Sequence, residues 1–184
     1  LPTIKSRTQL IRTKKPTLKE AQAYLKPEEK NIDQAYFITD GNVGKILRLQ
    51  NENFSTEQYL NNFISWMRAC YKIDIQGIAK KTNEISQQNN TQQTTFLEYA
   101  IKIIRDCLIY NYSEKKLLQT NKKEQEFIKK FARFIHGKNS INMTEKLEET
   151  IRFLNRNANS KILFFELSLS IAKLLQIKPT TIKK

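Results

Sequence analysis

Glycine and proline are scarce, with four of each in 184 residues. That leaves little material for the tight turns of a hairpin-rich fold, and the apolar residues recur at helical spacing almost throughout. A single histidine, His136, excludes a zinc centre built from several imidazoles. The two cysteines, Cys70 and Cys107, have no partner at metal-ligand spacing. Both sit within apolar helical runs, and so read as buried thiols of a reducing, cytoplasmic environment, not as a disulfide framework. No apolar run approaches membrane-spanning length and no signal peptide is recognisable. There is also no initiator Met; the chain opens on LPTIKSRTQ and is expected to be a fragment of something longer.

Acidic residues are in short supply too: 18 Asp and Glu stand against 32 Lys and Arg, a net charge of +14. Such an excess favours contact with nucleic acid, an acidic protein surface or an anionic membrane, and carries no information about fold. Much of it is Lys scattered over amphipathic helices, where it reads as solvated surface.

Residues 1–13 have β-compatible character at Ile4, Leu10 and Ile11, and Pro2 discourages a helix, so this stretch reads as a strand remnant. Thr17 to Glu20 fits a capping box opening a short helix to about Leu25. A second helix is expected from Asn31 to Thr39. Gly41 ends it, and Asn42 caps a third, Val43 to Leu49. After a polar hinge at 51–54, Ser55 to Gln58 fits another capping box and opens a longer amphipathic helix. Asp74 restarts a helix, residues 86–95 (SQQNNTQQTT) read as a polar loop with a fraying helix start, and Phe96 to Tyr112 as a strong helix. Helices from Lys122 to Ile135, closed by Gly137, and from Thr144 to Asn157 follow. The expected fold is all-α. A small three-helix bundle over 14–52 precedes a larger helical bundle over 53–184, with a disordered tail at 177–184.

The last helix, within Asn155–Leu175, carries two apolar stripes, where a surface helix needs one. Leu163, Leu167, Ile171 and Leu174 form the broader stripe, assigned to the core. Ile162, Phe165, Leu169 and Ala172 form the narrower one, assigned to a subunit contact, the alternative being that it packs under Phe96–Tyr112 or Lys122–Ile135 of the same bundle. Two polar strips, Glu166–Ser170–Lys173 and Lys161–Ser168, lie between them.

A catalytic reading finds no support in the residues. A triad would have to use His136, which reads as an ordinary histidine favoured by the dipole at a helix C-terminus. The pairs Glu28–Glu29, Glu124–Glu126 and Glu148–Glu149 lie amid Lys and read as surface charge. No phosphate-binding loop occurs, and Gly41 to Gly44 is too short to be one. The chain is expected to be no enzyme on its own, with no cofactor and no metal.

Three segments, taken in order, resemble the clamp-loader subunits of bacterial DNA polymerase III. LPTIKSRTQLIR resembles the end of their ATPase-type module, DGNVGKILRL the last helix of their lid domain, and NRNANSKILFFELSLSIAKLL the final collar helix of the delta-prime subunit. WMRACYK resembles the start of that collar. The resemblance implies a module remnant at 1–13, a lid at 14–52 and a collar at 53–184. It places Arg7, between Ser6 and Thr8, where the family has an arginine finger directed at a neighbour's ATP. Gly44 falls where ATP-hydrolysing relatives carry a phosphate-sensing arginine, so the resemblance implies a non-hydrolysing subunit that binds no nucleotide through this segment. The implied partners are the other clamp-loader subunits, delta and gamma/tau, met through the collar. DNA is met weakly or through the complex, no membrane is implied, and the fragment alone would be a monomer. The alternative from the residues themselves is a free-standing basic helical module that binds nucleic acid; against it, Lys does not cluster on one helix and no recognition helix is evident.

Overall fold

A computed structural model describes residues 8–9, 14–25, 32–39, 41–51, 55–112 and 122–178. Among the described residues every regular element is helical. The strand expected over 1–13 lies largely outside them, and Thr8 and Gln9, which lie inside, form no strand. The chain divides into two compact units, Leu1–Asn53 and Phe54–Lys184.

The first unit contains α1 (Leu18–Tyr24), α2 (Ile32–Ile38) and α3 (Val43–Asn51). Thr17 and Glu20 form the expected capping box: the Glu20 amide donates to Thr17 Oγ1, and the Thr17 amide to Glu20 Oε2 at 2.7 Å. That second bond holds the Glu20 carboxyl below its ordinary range. Helix α2 packs on both α1 and α3, burying Ala21, Leu25, Ile32, Ala35, Ile46 and Leu49. Gly41 makes the turn into α3 with φ of +73°, and its amide reaches Tyr36 O at 2.8 Å. A Cβ at Gly41 would press on Lys15 Cε at 2.6 Å and on the Tyr36 ring at 3.0 Å, so only glycine fits. Asn42 Oδ1 then accepts from the Lys45 amide, as expected of a cap.

The second unit contains α4 (Thr56–Lys72), α5 (Ile75–Ser86), α6 (Asn90–Tyr112) and α7 (Lys122–Phe131). A short 3₁₀ turn (Ala132–Phe134), α8 (Gly137–Leu154) and α9 (Ser160–Leu175) complete it. Helix α9 packs against α4, α5 and α8, while α6 packs against α4, α7, α8 and the 3₁₀ turn. The core is rich in rings. Phe63 meets Trp66, Phe127 and Phe131 edge-on, and Trp66 packs on Phe96 with ring centroids 5.5 Å apart. Edge-to-face packing of this kind aligns the positive ring edge with a neighbour's negative face.

Three boundaries differ from the sequence reading. Within the polar stretch 86–95 the loop is confined to residues 87–89: α6 begins at Asn90 as ordered helix, because Asn89 Oδ1 accepts from the Gln92 amide at 2.8 Å. Gln93 is buried there because its amide donates to Ile85 O and Gln88 O, satisfying the end of α5. A polar residue with a carbonyl to bind can be interior, which composition does not reveal. Gly137 begins α8 instead of ending α7, and α8 starts well before Thr144. Asn139 is the cause, since its Oδ1 accepts from the His136 amide and its Nδ2 donates to Phe134 O. Ile177 and Lys178, within the tail expected to be disordered, are described, and the Ile177 carbonyl is bonded to His136 Nε2 at 2.9 Å; the rest of that tail lies outside the described residues.

Candidate functional site

The α9 face assigned to a subunit contact is not one continuous exposed surface. Ile162 is 67 % exposed and Ala172 only 3 %; Phe165 and Leu169 lie between, half-buried. Leu167 and Ile171 are fully buried as assigned, while Leu163 and Leu174 are half-buried. The most enclosed line of the helix runs through Phe164, Ser168, Ile171 and Leu175. At about 100° per residue that line lies between the two stripes, so the stripes are the flanks of one wide apolar sector. The Lys161–Ser168 strip is therefore no solvent boundary. Lys161 is exposed only because it lies in the first turn, and Ser168 is fully buried. The Ser168 hydroxyl donates to Phe164 O at 2.6 Å and accepts from Trp66 Nε1 at 2.8 Å. Only the Glu166–Ser170–Lys173 strip meets solvent as a polar edge, with Ser170 Oγ donating to Glu166 Oε1.

A second polar centre lies between α6 and α7. Tyr99 OH donates to Glu124 Oε1 at 2.7 Å, and Lys102 Nζ reaches Glu124 Oε2 at 3.3 Å and Asp106 Oδ2 at 3.4 Å. Lys102 also lies over the Tyr99 ring, 5.8 Å from its centroid. Glu124 is 2 % exposed, which corrects its reading as surface charge; Glu126 and Glu148 are exposed as read, and Glu28 and Glu29 fall outside the described residues. Desolvation raises the Asp106 carboxyl above its usual range although Lys102 opposes this. Desolvation also raises the Tyr99 phenol, with the Glu124 charge adding to it. This arrangement leaves no open face at which a substrate could meet Glu124. Chemically it is a clamp: one ammonium holds two carboxylates across a helix pair.

Both cysteines are free and buried. Burial pushes the Cys70 thiol up to about 12 and raises Cys107 as well. Neither has the thiolate character that nucleophilic chemistry requires. His136 sits at the N-cap of α8 and not at a helix C-terminus, which corrects its place in the sequence reading. Its Nε2 bonds Ile177 O, and its Nδ1 is buried without a hydrogen-bond partner. Arg7 and Ser6 lie outside the described residues; Thr8 lies in an exposed bend. Gly44 is exposed on the first turn of α3, where an added Cβ would meet only Asn42 Oδ1, at 3.5 Å. Nothing steric therefore requires glycine at that position.

Among the described residues no cluster of three His, Cys, Asp or Glu side chains could hold a metal ion, and no helix is long and apolar enough to cross a membrane. Sequence reasoning missed Ser168, Lys102, Asp106 and Glu124 as interior groups. The only available signal was a polar residue on the apolar side of its helix. No protein-family model, no curated protein and no solved structure matches this chain.

Proposed function

We propose that the chain is the lid-and-collar portion of a clamp-loader subunit of the delta-prime type, and that it works in DNA replication by assembly and not by chemistry of its own. One observation carries the reading. The chain divides next to Asn53, and the two segments that resemble terminal helices of the family's lid and collar form the last helix of each unit, α3 and α9. A chance resemblance has no reason to fall twice on the closing helix of a compact unit. The interior of the larger unit is consistent with such a role: its charged groups are clamped and its thiols buried, which makes a rigid spacer.

In this role α9 closes its own unit through Phe164, Leu167 and Ile171. The outer flank, Ile162 with Phe165 and Leu169, meets a neighbouring subunit. An aromatic anchor beside an exposed branched residue is the composition that interfaces favour. Gly44 supplies no cation to a nucleotide, and Arg7 belongs to the parent protein's contact with a neighbour's ATP.

The test is co-expression of the full-length parent protein with the delta and gamma/tau subunits of the same organism, followed by native mass spectrometry. A stoichiometric heteromeric complex is the expected result. Absence of a complex, together with submicromolar DNA binding that weakens steeply with salt, would replace this reading by the basic nucleic-acid-binding module.

A further inference from the structure

Helix α4 ends in a conformation that its sequence does not favour. Ile73 closes the helix at φ 54° and ψ 37°, its amide reaching Cys70 O and the next amide reaching Ala69 O at 3.0 Å. Left-handed closure of a helix is ordinarily given to glycine or asparagine, and a β-branched residue there is an outlier. Ile73 gains little from burial in return, being 53 % exposed. Strain at an exposed apolar residue, held by a well-formed helix end, points toward function.

The neighbours of Ile73 extend the feature. Tyr71 and Ile75 on either side of the turn are large hydrophobics left exposed, and so is Ile177. Ile177 belongs to the same end of the unit, because Gln176 Nε2 donates to Tyr71 O at 2.9 Å. The Tyr71 ring packs on Phe134 at 4.8 Å, and the Arg133 guanidinium lies over the other ring at the same distance. Charge around this patch has one dominant sign. Lys72, Arg133 and Lys178 are exposed beside it in sequence; the one acidic residue in the turn, Asp74, spends Oδ1 on the Gly77 amide.

We infer that the α4–α5 turn, centred on Ile73 with Tyr71, Ile75 and Ile177, is a second subunit-contact surface, and that it receives an apolar segment flanked by acidic residues on the neighbouring subunit. The inference rests on the assembly reading above and adds what that reading lacks. The proposed partners are of two kinds, delta and gamma/tau, and two unlike neighbours call for two contact surfaces. Ile162 lies in the first turn of α9 and Ile177 two residues beyond its last residue, Leu175, so a helix of about 24 Å at 1.5 Å per residue spans from one surface to the other. The basic rim sets the sign of the occupant, since complementary potentials across an interface steer encounter and reject like charge.

The experiment compares the wild-type parent protein with Ile73→Gly and Lys72→Glu, each assembled with delta and gamma/tau. Ile73→Gly removes the branched side chain and relieves the left-handed strain, so its melting temperature is expected to stay or rise while assembly weakens at least tenfold. Lys72→Glu is expected to weaken assembly with unchanged melting, and hydrogen exchange at 71–75 to slow in the wild-type complex. Assembly that survives both substitutions unchanged overturns this surface and leaves the assembly reading standing. Failure of the wild-type protein to assemble overturns both. Concentration-dependent dimerisation abolished by Ile73→Gly would mean that a second copy covers the patch, and also overturns the inference.

Discussion

The Trp66 indole donates to the Ser168 hydroxyl at 2.8 Å across 102 residues of chain, joining α4 to α9 in the centre of the larger unit. Ser168 passes the bond on to Phe164 O, so both polar groups are satisfied where no water reaches them. Replacing Ser168 with Ala leaves the Trp66 N–H buried and unpaired. That should cost about 1–3 kcal/mol, the penalty of an orphaned donor. Urea unfolding followed by far-ultraviolet circular dichroism measures it, a signal that does not depend on the single tryptophan. The double variant with Trp66→Phe should lose less than the sum of the two single changes, because the second removes the orphan.

Leu167 and Phe165 test the proposed division of α9 between core and contact. Leu167 is fully buried, and Leu167→Ala should cost about 2–5 kcal/mol, as emptied core sites do. Phe165 is half-buried, so Phe165→Ala should lower the melting temperature far less while weakening assembly with the neighbouring subunits. Thermal melting and native mass spectrometry on the same samples decide. A loss at Phe165 as large as at Leu167, with assembly intact, would remove that flank as a contact.

The Asp106 carboxyl sits at the edge of the Lys102 clamp with its folded pKa raised by desolvation. A raised carboxyl favours folding when protonated. Its contribution is therefore fully present below the unfolded pKa of about 3.9 and is lost as pH rises through the folded value. Asp106→Asn removes that titration. Relative to wild type, the variant should gain stability as pH rises from about 4 toward neutral, and the gap should close again on acidification. Chemical denaturation at a series of pH values tests this; a gap independent of pH would mean that Lys102 already compensates the charge.

Cys70 and Cys107 are predicted to be silent toward thiol reagents in the folded protein, because burial both hides the sulfurs and raises their pKa values. Mass spectrometry after maleimide treatment should find no adduct in buffer and two in denaturant. Rapid labelling of either thiol in buffer would mean that α4 or α6 opens locally.

Protection against hydrogen exchange should differ between the units. Among the described residues, the first unit buries no aromatic ring and has three helices of at most 9 residues, while the second encloses Trp66, Tyr99, Phe63, Phe96 and Phe164. Opening free energy follows buried apolar contact, so α6 and α9 should exchange most slowly and α1 to α3 fastest. Equal protection throughout would mean that the units unfold together.

Several features were determined by the sequence alone, for local reasons. The helical class follows from apolar spacing, the start of α1 from the Thr17–Glu20 box, and the turn into α3 from Gly41, whose φ only glycine holds easily. The burial of Leu167, Ile171, Cys70 and Cys107 was equally legible, because an apolar residue on an apolar stripe has one favourable place to go. Polar residues have two. Whether Ser168, Gln93, Glu124 and Asn139 face water or the interior depends on whether another segment brings them a hydrogen-bond partner, and those partners are Trp66, Ile85, Tyr99 and Phe134. Tertiary packing alone supplies such partners. It merged the two stripes of α9 into one sector and moved Gly137 and His136 from the end of one helix to the start of the next. It left Ile73 exposed at the turn where a glycine would have been easier.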